Sequence, residues 1–170
     1  AIRKILTENN FDGVEIKSQA NFSFVTRGRG FIGLASVIAC GSLFVTKEKI
    51  YLVTENIEAA RLYNEQLSQN TLVEVLEFPW DEAGKRAEIV KKITNGLKMA
   101  SEGDIEQGLF KLRTLMTPYD YSAYKILCKE AAVILESICK GLKKGISEYE
   151  LAGEIAKQLW SSNIEPITIL

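Results

Sequence analysis

The sequence predicts an α/β fold: a mixed β-sheet flanked by helices over residues 1–100, followed by a helix-rich remainder. Three observations carry that reading. Leu43-Phe44-Val45 and Ile50-Tyr51-Leu52-Val53 are apolar, β-branched runs on either side of the charged loop Thr46-Lys47-Glu48-Lys49. That pattern is a hairpin, so at least one strand pair is antiparallel. Strand-like and helix-like periods then mix through residue 98, as they do where helices pack on a sheet. Beyond Met99 the strand signals almost vanish and two long, well-capped amphipathic periods replace them.

In chain order, Ile2, Ile5 and Leu6 share one face of a short opening helix that stops before Asn9-Asn10. Asp12-Gly13 turns into the alternating strand Val14–Lys17. Asn21–Thr26 reads as a second strand, closed by the glycine-rich Arg27-Gly28-Arg29-Gly30, with a flexible loop between that strand and about two helical turns over Leu34–Cys40. After the hairpin, Asn56 is expected to cap a helix running to about Gln69, with Ile57, Ala60, Leu62 or Tyr63, and Leu67 inward. Leu72–Leu76 is another strand. Asp81 is expected to cap a helix whose stripe is Ala83, Ala87, Val90, Ile93 and Leu97.

The composition changes at Met99–Asp104, the expected end of a first domain spanning 1–100, with a linker helix over 101–116. The remainder, 117–170, opens with Thr117 as cap and Pro118 in the first helical position, where its missing N–H costs nothing. Tyr124, Leu127, Cys128, Ala131, Leu135, Ile138 and Leu142 make the stripe of this long helix, which Gly145 is expected to end; Cys128 and Cys139 then sit within or beside a packed face. Ser147-Glu148-Tyr149-Glu150 is a capping box leading into Leu151, Ala152, Ile155, Ala156 and Leu159. The apolar ending Ile167-Thr168-Ile169-Leu170 reads as the first strand of a further sheet, so the expectation is a chain cut within its second domain.

Composition excludes several chemistries. The 170 residues contain no histidine, so neither a Ser-His-Asp nor a Cys-His pair nor an imidazole-ligated zinc site can be built. Three cysteines without CxxC spacing suit a reducing compartment. Charge is balanced at 21 Lys+Arg against 22 Asp+Glu, and it stays balanced along the chain. A nucleic-acid or anionic-membrane binder would carry a basic footprint that is missing here. With no signal-peptide pattern at the start, the expected location is cytoplasmic.

Five motifs invite a functional reading. Gly28-Arg29-Gly30-Phe31-Ile32-Gly33 matches G-x-G-x-x-G literally and has Glu48 twenty residues on, as a dinucleotide site would. The seven residues that follow are too few to cross back over a sheet, which favours an ordinary loop. Arg27 and Arg29 can project two guanidinium forks from one loop, suited to a carboxylate such as a peptide C-terminus or an acid substrate. Phe78-Pro79-Trp80-Asp81 and the cluster Tyr119, Tyr121 and Tyr124 are better explained by packing. Glu150 is explained by capping, and Glu148 and Glu154 by an exposed helix face. No set of these residues completes an active site, so no catalytic residue is expected in this chain.

Order and spacing add a resemblance. Asp12-Gly13-Val14, Asn21-Phe22-Ser23-Phe24-Val25-Thr26-Arg27-Gly28, Leu112-Arg113 through Tyr121, and above all Lys144-Gly145-Ile146-Ser147-Glu148-Tyr149-Glu150-Leu151-Ala152 resemble successive motifs of the creatinase/prolidase/aminopeptidase P family of "pita-bread" metallopeptidases. Arg27 separates Thr26 from Gly28, and the family's lysine is absent from Thr114–Asp120. The resemblance implies a creatinase/prolidase-type N-terminal domain followed by the first helices and first strand of a truncated α+β pita-bread domain. It implies a parent that hydrolyses Xaa-Pro peptides with two divalent metal ions, such as Mn, Co or Zn. The five ligands lie downstream of Leu170, so this chain contributes no metal ligand. It further implies a homo-oligomer, most simply a dimer, in which the N-terminal domain gates access for short peptides. Arg27 and Arg29 are the candidate substrate-binding residues. The alternative is a non-catalytic interaction or oligomerisation module on the same fold.

Overall fold

The computed structural model describes residues 1–33, 35–67, 72–82 and 84–168. The chain divides into two compact units, Ala1–Leu115 and Met116–Leu170.

The first unit is built on five strands: β1 (Gly13–Ser18), β2 (Ile38–Thr46), β3 (Ile50–Glu55), β4 (Val73–Phe78) and β5 (Met99–Ala100). Their order in the sheet is β4-β3-β2-β1-β5. The pairs β1/β2 and β2/β3 are antiparallel, while β3/β4 and β1/β5 are parallel, so the sheet is mixed as expected. The hairpin closes at Val45 opposite Ile50, with the Thr46 N–H donating to the Lys49 carbonyl at 2.9 Å.

Alternation places Val14, Ile16, Leu43, Val45, Leu52 and Val73 on one face, and all are buried. Leu6 from helix α1 (Ile2–Glu8), Phe22 from α2 (Gln19–Thr26) and Leu109 from α5 (Glu106–Arg113) complete that core. Each fully buried side chain of this kind contributes roughly 1.5–3 kcal/mol. The opposite face holds Phe44 and Val53, also buried, with α4 (Lys85–Ile93) packed on β3 and β4. Arg86 of α4 ties itself to that face, donating to the Glu15 carboxylate and to Ser42 Oγ at 3.0 Å.

Several expectations are corrected. Asn21–Thr26 is helix α2, not a strand: Ser18 caps it by accepting from the Asn21 N–H, and the cap outweighs the strand-like alternation of Phe22, Phe24 and Thr26. Ile38-Ala39-Cys40 opens β2, and no helix is found among the described residues of 34–40; Leu34 lies outside them. Asn56 is the first residue of α3 (Asn56–Arg61) rather than its cap, and its side chain accepts from the Trp80 N–H instead. Ile57 and Tyr63 face outward while Ala59, Leu62 and Leu67 are buried. The five-residue spacing of Leu62 and Leu67 has a cause: Leu62–Gln66 is wound as a π-turn whose i→i+5 bond, Leu67 N–H to Leu62 carbonyl at 2.8 Å, brings both inward. Ser68 and Gln69, the expected end of this helix, lie outside the described residues.

Leu72 stays exposed outside β4. Helix α4 starts after Gly84, not at Asp81, and its half-buried side is Arg86, Ile89, Val90 and Ile93; Ala87 is exposed and Ala83 lies outside the described residues. Met99-Ala100, where the composition changes and no strand was expected, is β5, added parallel to β1. Residues 101–116 hold a 3-10 turn, Gly103–Ile105, and α5, whose Leu109 belongs to the core of the first unit.

The second unit is a pair of packed helices, α6 (Pro118–Gly141) and α7 (Glu148–Ser161). Both start on full capping boxes: Ser147 with Glu150, as the sequence predicts, and Thr117 with Asp120, where the sequence reading predicts only the Thr117 cap. Among the described residues of this unit, Ile138 and Leu159 are buried. Helix α6 ends at Gly141, and Gly145, at φ 98°, serves the turn to α7. Cys128 and Cys139 are exposed rather than packed, and Cys40 is half-buried. Ile167 and Thr168 are not in a strand; Ile169 and Leu170 lie outside the described residues. Because the Thr117 hydroxyl both accepts from the Asp120 N–H and bonds its carboxylate, Thr117→Ala is expected to cost about 1 kcal/mol. Urea unfolding followed by far-UV dichroism checks this, with Thr117→Ser close to the parent.

Candidate functional site

The loop after α2 carries the two candidate arginines. Arg27 terminates α2 in the left-handed region, φ 62°, and its N–H closes on the Ser23 carbonyl at 2.8 Å. Glycine is the usual residue at that position. Here the adjacent glycine is committed elsewhere, because a Cβ on Gly28 would lie 2.4 Å from the Gln66 carbonyl oxygen. Gly30 is packed as tightly, with a Cβ position 2.5 Å from the Phe22 ring. Gly28 and Gly30 are therefore buried, and the alternation turns Arg27 and Arg29 outward on one loop, both exposed. The Arg29 N–H donates to Gln66 Oε1 at 2.7 Å, and its guanidinium lies 5.9 Å from the centre of the Phe31 ring.

The glycine pattern is thus a packing device. It follows a helix rather than a strand, and the Gly30 carbonyl accepts from the Cys40 N–H, which lays the loop against β2. A phosphate cradle needs glycine N–H groups opening a helix, and no helix follows among the described residues.

A second polar centre, which sequence reasoning misses, lies where β1 passes into α2. Glu102 accepts from the N–H groups of Lys17 at 3.1 Å and Ser18 at 2.9 Å, and from Ser18 Oγ and Asn21 Nδ2, both at 2.6 Å. Burial by itself raises this carboxyl, but the bonds from Ser18, Asn21 and Lys17 outweigh it and hold it below the usual carboxylate range. Its partners are more than eighty residues away in sequence, so no local pattern marks it. Ser18, the last residue of β1, is the one signal that points there.

The remaining candidates are structural. Trp80 is 64% exposed and is held through its N–H on Asn56. Tyr119, Tyr121 and Tyr124 are exposed rather than packed within the described residues. Glu150 is spent on capping, Glu154 accepts from Gln158, and Glu148 is exposed. Burial and the neighbouring Glu58 push the Cys40 thiol up despite the Arg61 contact at 3.3 Å, so it stays protonated at neutral pH. Among the described residues no three His, Cys, Asp or Glu side chains come together in a group able to hold a metal ion. The residues present do not fit a metal centre, and no catalytic step is assigned to them.

No family model matches the chain, and comparison with curated proteins finds no match. Solved structures do match. The Xaa-Pro dipeptidase from Bacillus anthracis superposes with a TM-score of 0.67 at 17% identity, covering 95% of this chain and 47% of that one. This is the fold of a prolidase N-terminal domain. The prolidase from Pyrococcus furiosus gives a TM-score of 0.64 at 16% identity over 94% of this chain and 48% of its own. An X-Pro aminopeptidase from Thermotoga maritima gives 0.61 at 13% over 93% and 49%. The chain therefore spans about half the length of each peptidase it resembles. The mixed sheet with flanking helices is the architecture the resemblance implied. No helix among the described residues is long and apolar enough to cross a membrane.

Proposed function

We propose that this chain is the front half of a metal-dependent Xaa-Pro peptidase, serving oligomerisation and gating of the active site rather than chemistry. The observation that carries the reading is the coverage: 95% of this chain against 47% of a dipeptidase, with both units included in the match. The helix pair of the second unit supports it. Tyr124 and Leu135, which share one face of α6, are 58% and 40% exposed, an apolar surface that a continuing domain would bury. In this reading two divalent metal ions are held by residues beyond Leu170. The protein works in the cytoplasm as a homodimer, and short peptides are its substrates. Arg27 and Arg29, exposed on one loop, grip the peptide's carboxylate, for which a guanidinium fork is suited.

The test is hydrolysis of a panel of Xaa-Pro dipeptides by the full-length gene product with Mn, Co or Zn supplied. Turnover is expected, with none from the 170-residue chain alone. Arg27→Ala with Arg29→Ala is expected to raise KM about tenfold with little change in kcat. A full-length product that carries a complete ligand set yet cleaves no Xaa-Pro peptide overturns the peptidase reading and leaves the non-catalytic module.

A further inference from the structure

Three side-chain polar atoms are buried without a hydrogen-bond partner among the described residues: Gln19 Nε2, Asn21 Oδ1 and Arg113 Nε. All three belong to residues lining one cleft of 560 Å³, between the start of α2, the loop around Ser36 and helix α5. Orphaned buried polar atoms are rare and costly, and three on residues around a single cleft point to a polar ligand as their partner. We propose that this cleft binds a zwitterionic α-amino acid with an apolar side chain. The inference does not depend on the peptidase reading.

Charge and bonding select the ligand. Glu102 also lines the cleft, but each of its oxygens already accepts two bonds, so it contributes charge and no vacant acceptor. The open acceptor is Asn21 Oδ1, on a residue only 7% exposed. Its orientation is fixed, because Nδ2 donates to Glu102 and a flipped amide would set oxygen against carboxylate. The open donors are Gln19 Nε2 and Arg113 Nε. An ammonium group satisfies the Asn21 oxygen, and a carboxylate satisfies Gln19 and Arg113.

A plain anion is disfavoured by Glu102 and by Glu106, which shares the Arg113 face of α5 at i,i+7. A plain cation is disfavoured by Arg113. A zwitterion adds no net charge, and Leu109 gives its side chain an apolar wall. Gln19 and Arg113 are half-buried and long, so both can swing to admit the ligand, while Asn21 stays pinned.

The test is calorimetric titration of the whole chain with L-leucine, leucinamide (no carboxylate) and 4-methylpentanoate (no ammonium). Saturable leucine binding is expected, with both analogues at least about tenfold weaker. Arg113→Gln and Gln19→Leu are each expected to weaken leucine by a similar factor, and Gln19→Leu carries the test should Arg113→Gln fail to fold. Absence of saturation by about 10 mM leucine overturns the proposal. Equal binding of the analogues does so too, as does leucine binding unchanged in both variants. Peptidase activity enters none of these readouts, so failure here and failure of the peptidase reading remain distinct.

Discussion

Replacing Glu102 by Ala is expected to destabilise the first unit by about 3 kcal/mol, a large share of what a unit this size has. One carboxylate accepts two backbone N–H groups, the cap hydroxyl of Ser18 and the amide of the buried Asn21. Hydrogen bonds to a charged group are worth more than neutral ones, and removing the acceptor leaves the Asn21 donor buried and unmet. Glu102→Gln keeps the shape but turns an N–H₂ group toward donors, so about 2 kcal/mol is expected from it. Urea midpoints followed by far-UV dichroism and by amide exchange in β1 check both values.

The same residue fixes the sign of a pH dependence. Its carboxyl is held down in the folded chain, so the unfolded chain binds the proton more readily. The stabilisation is therefore complete above the usual carboxylate range, and it is lost as pH falls through the lower folded value. Between those limits the parent should lose stability on acidification, and Glu102→Gln should lose less. An equal acid slope in the two proteins would show that Glu102 is not the group responsible.

Glu102 also shows where sequence reading stops. The hairpin was legible because Thr46–Lys49 and its flanking β-branched runs are local, and the helix starts of the second unit were legible because Thr117-Pro118 and the box Ser147/Glu150 are local as well, although the part Asp120 plays in capping went unread. Helix α2 was misread because Phe22, Phe24 and Thr26 alternate like a strand, while the deciding cap, Ser18, belongs to the preceding strand. Strand β5 is two residues long and exists through its pairing with Gly13-Val14, which no local pattern encodes. That Arg27 and Arg29 share one loop follows from their spacing, but what turns them outward is the burial of Gly28 and Gly30 against Gln66 and Phe22. The centre at Glu102, Asn21 and Arg113 is assembled across three elements, so nothing in sequence announced it.

Gly28→Ala is expected to cost about 3 kcal/mol, while Gly33→Ala stays within about 0.5 kcal/mol of the parent. The added methyl at Gly28 would lie 2.4 Å from the Gln66 carbonyl oxygen and 2.9 Å from its carbonyl carbon, so backbone must give way. That backbone is the π-turn that turns Leu62 and Leu67 into the core, so a shift there reaches the packing of both. At Gly33 nothing lies within 4 Å of the corresponding position. Matched urea titrations of the two variants measure the contrast. A dinucleotide loop would show a different division, because its glycines let pyrophosphate approach the backbone, so substitutions would harm ligand binding more than folding. A stable Gly28→Ala protein would remove the packing account and return the motif to the phosphate reading. A strongly destabilised one, beside an indifferent Gly33→Ala, assigns the glycines to the close contact of this loop with the π-turn, where they hold Arg27 and Arg29 to the outside.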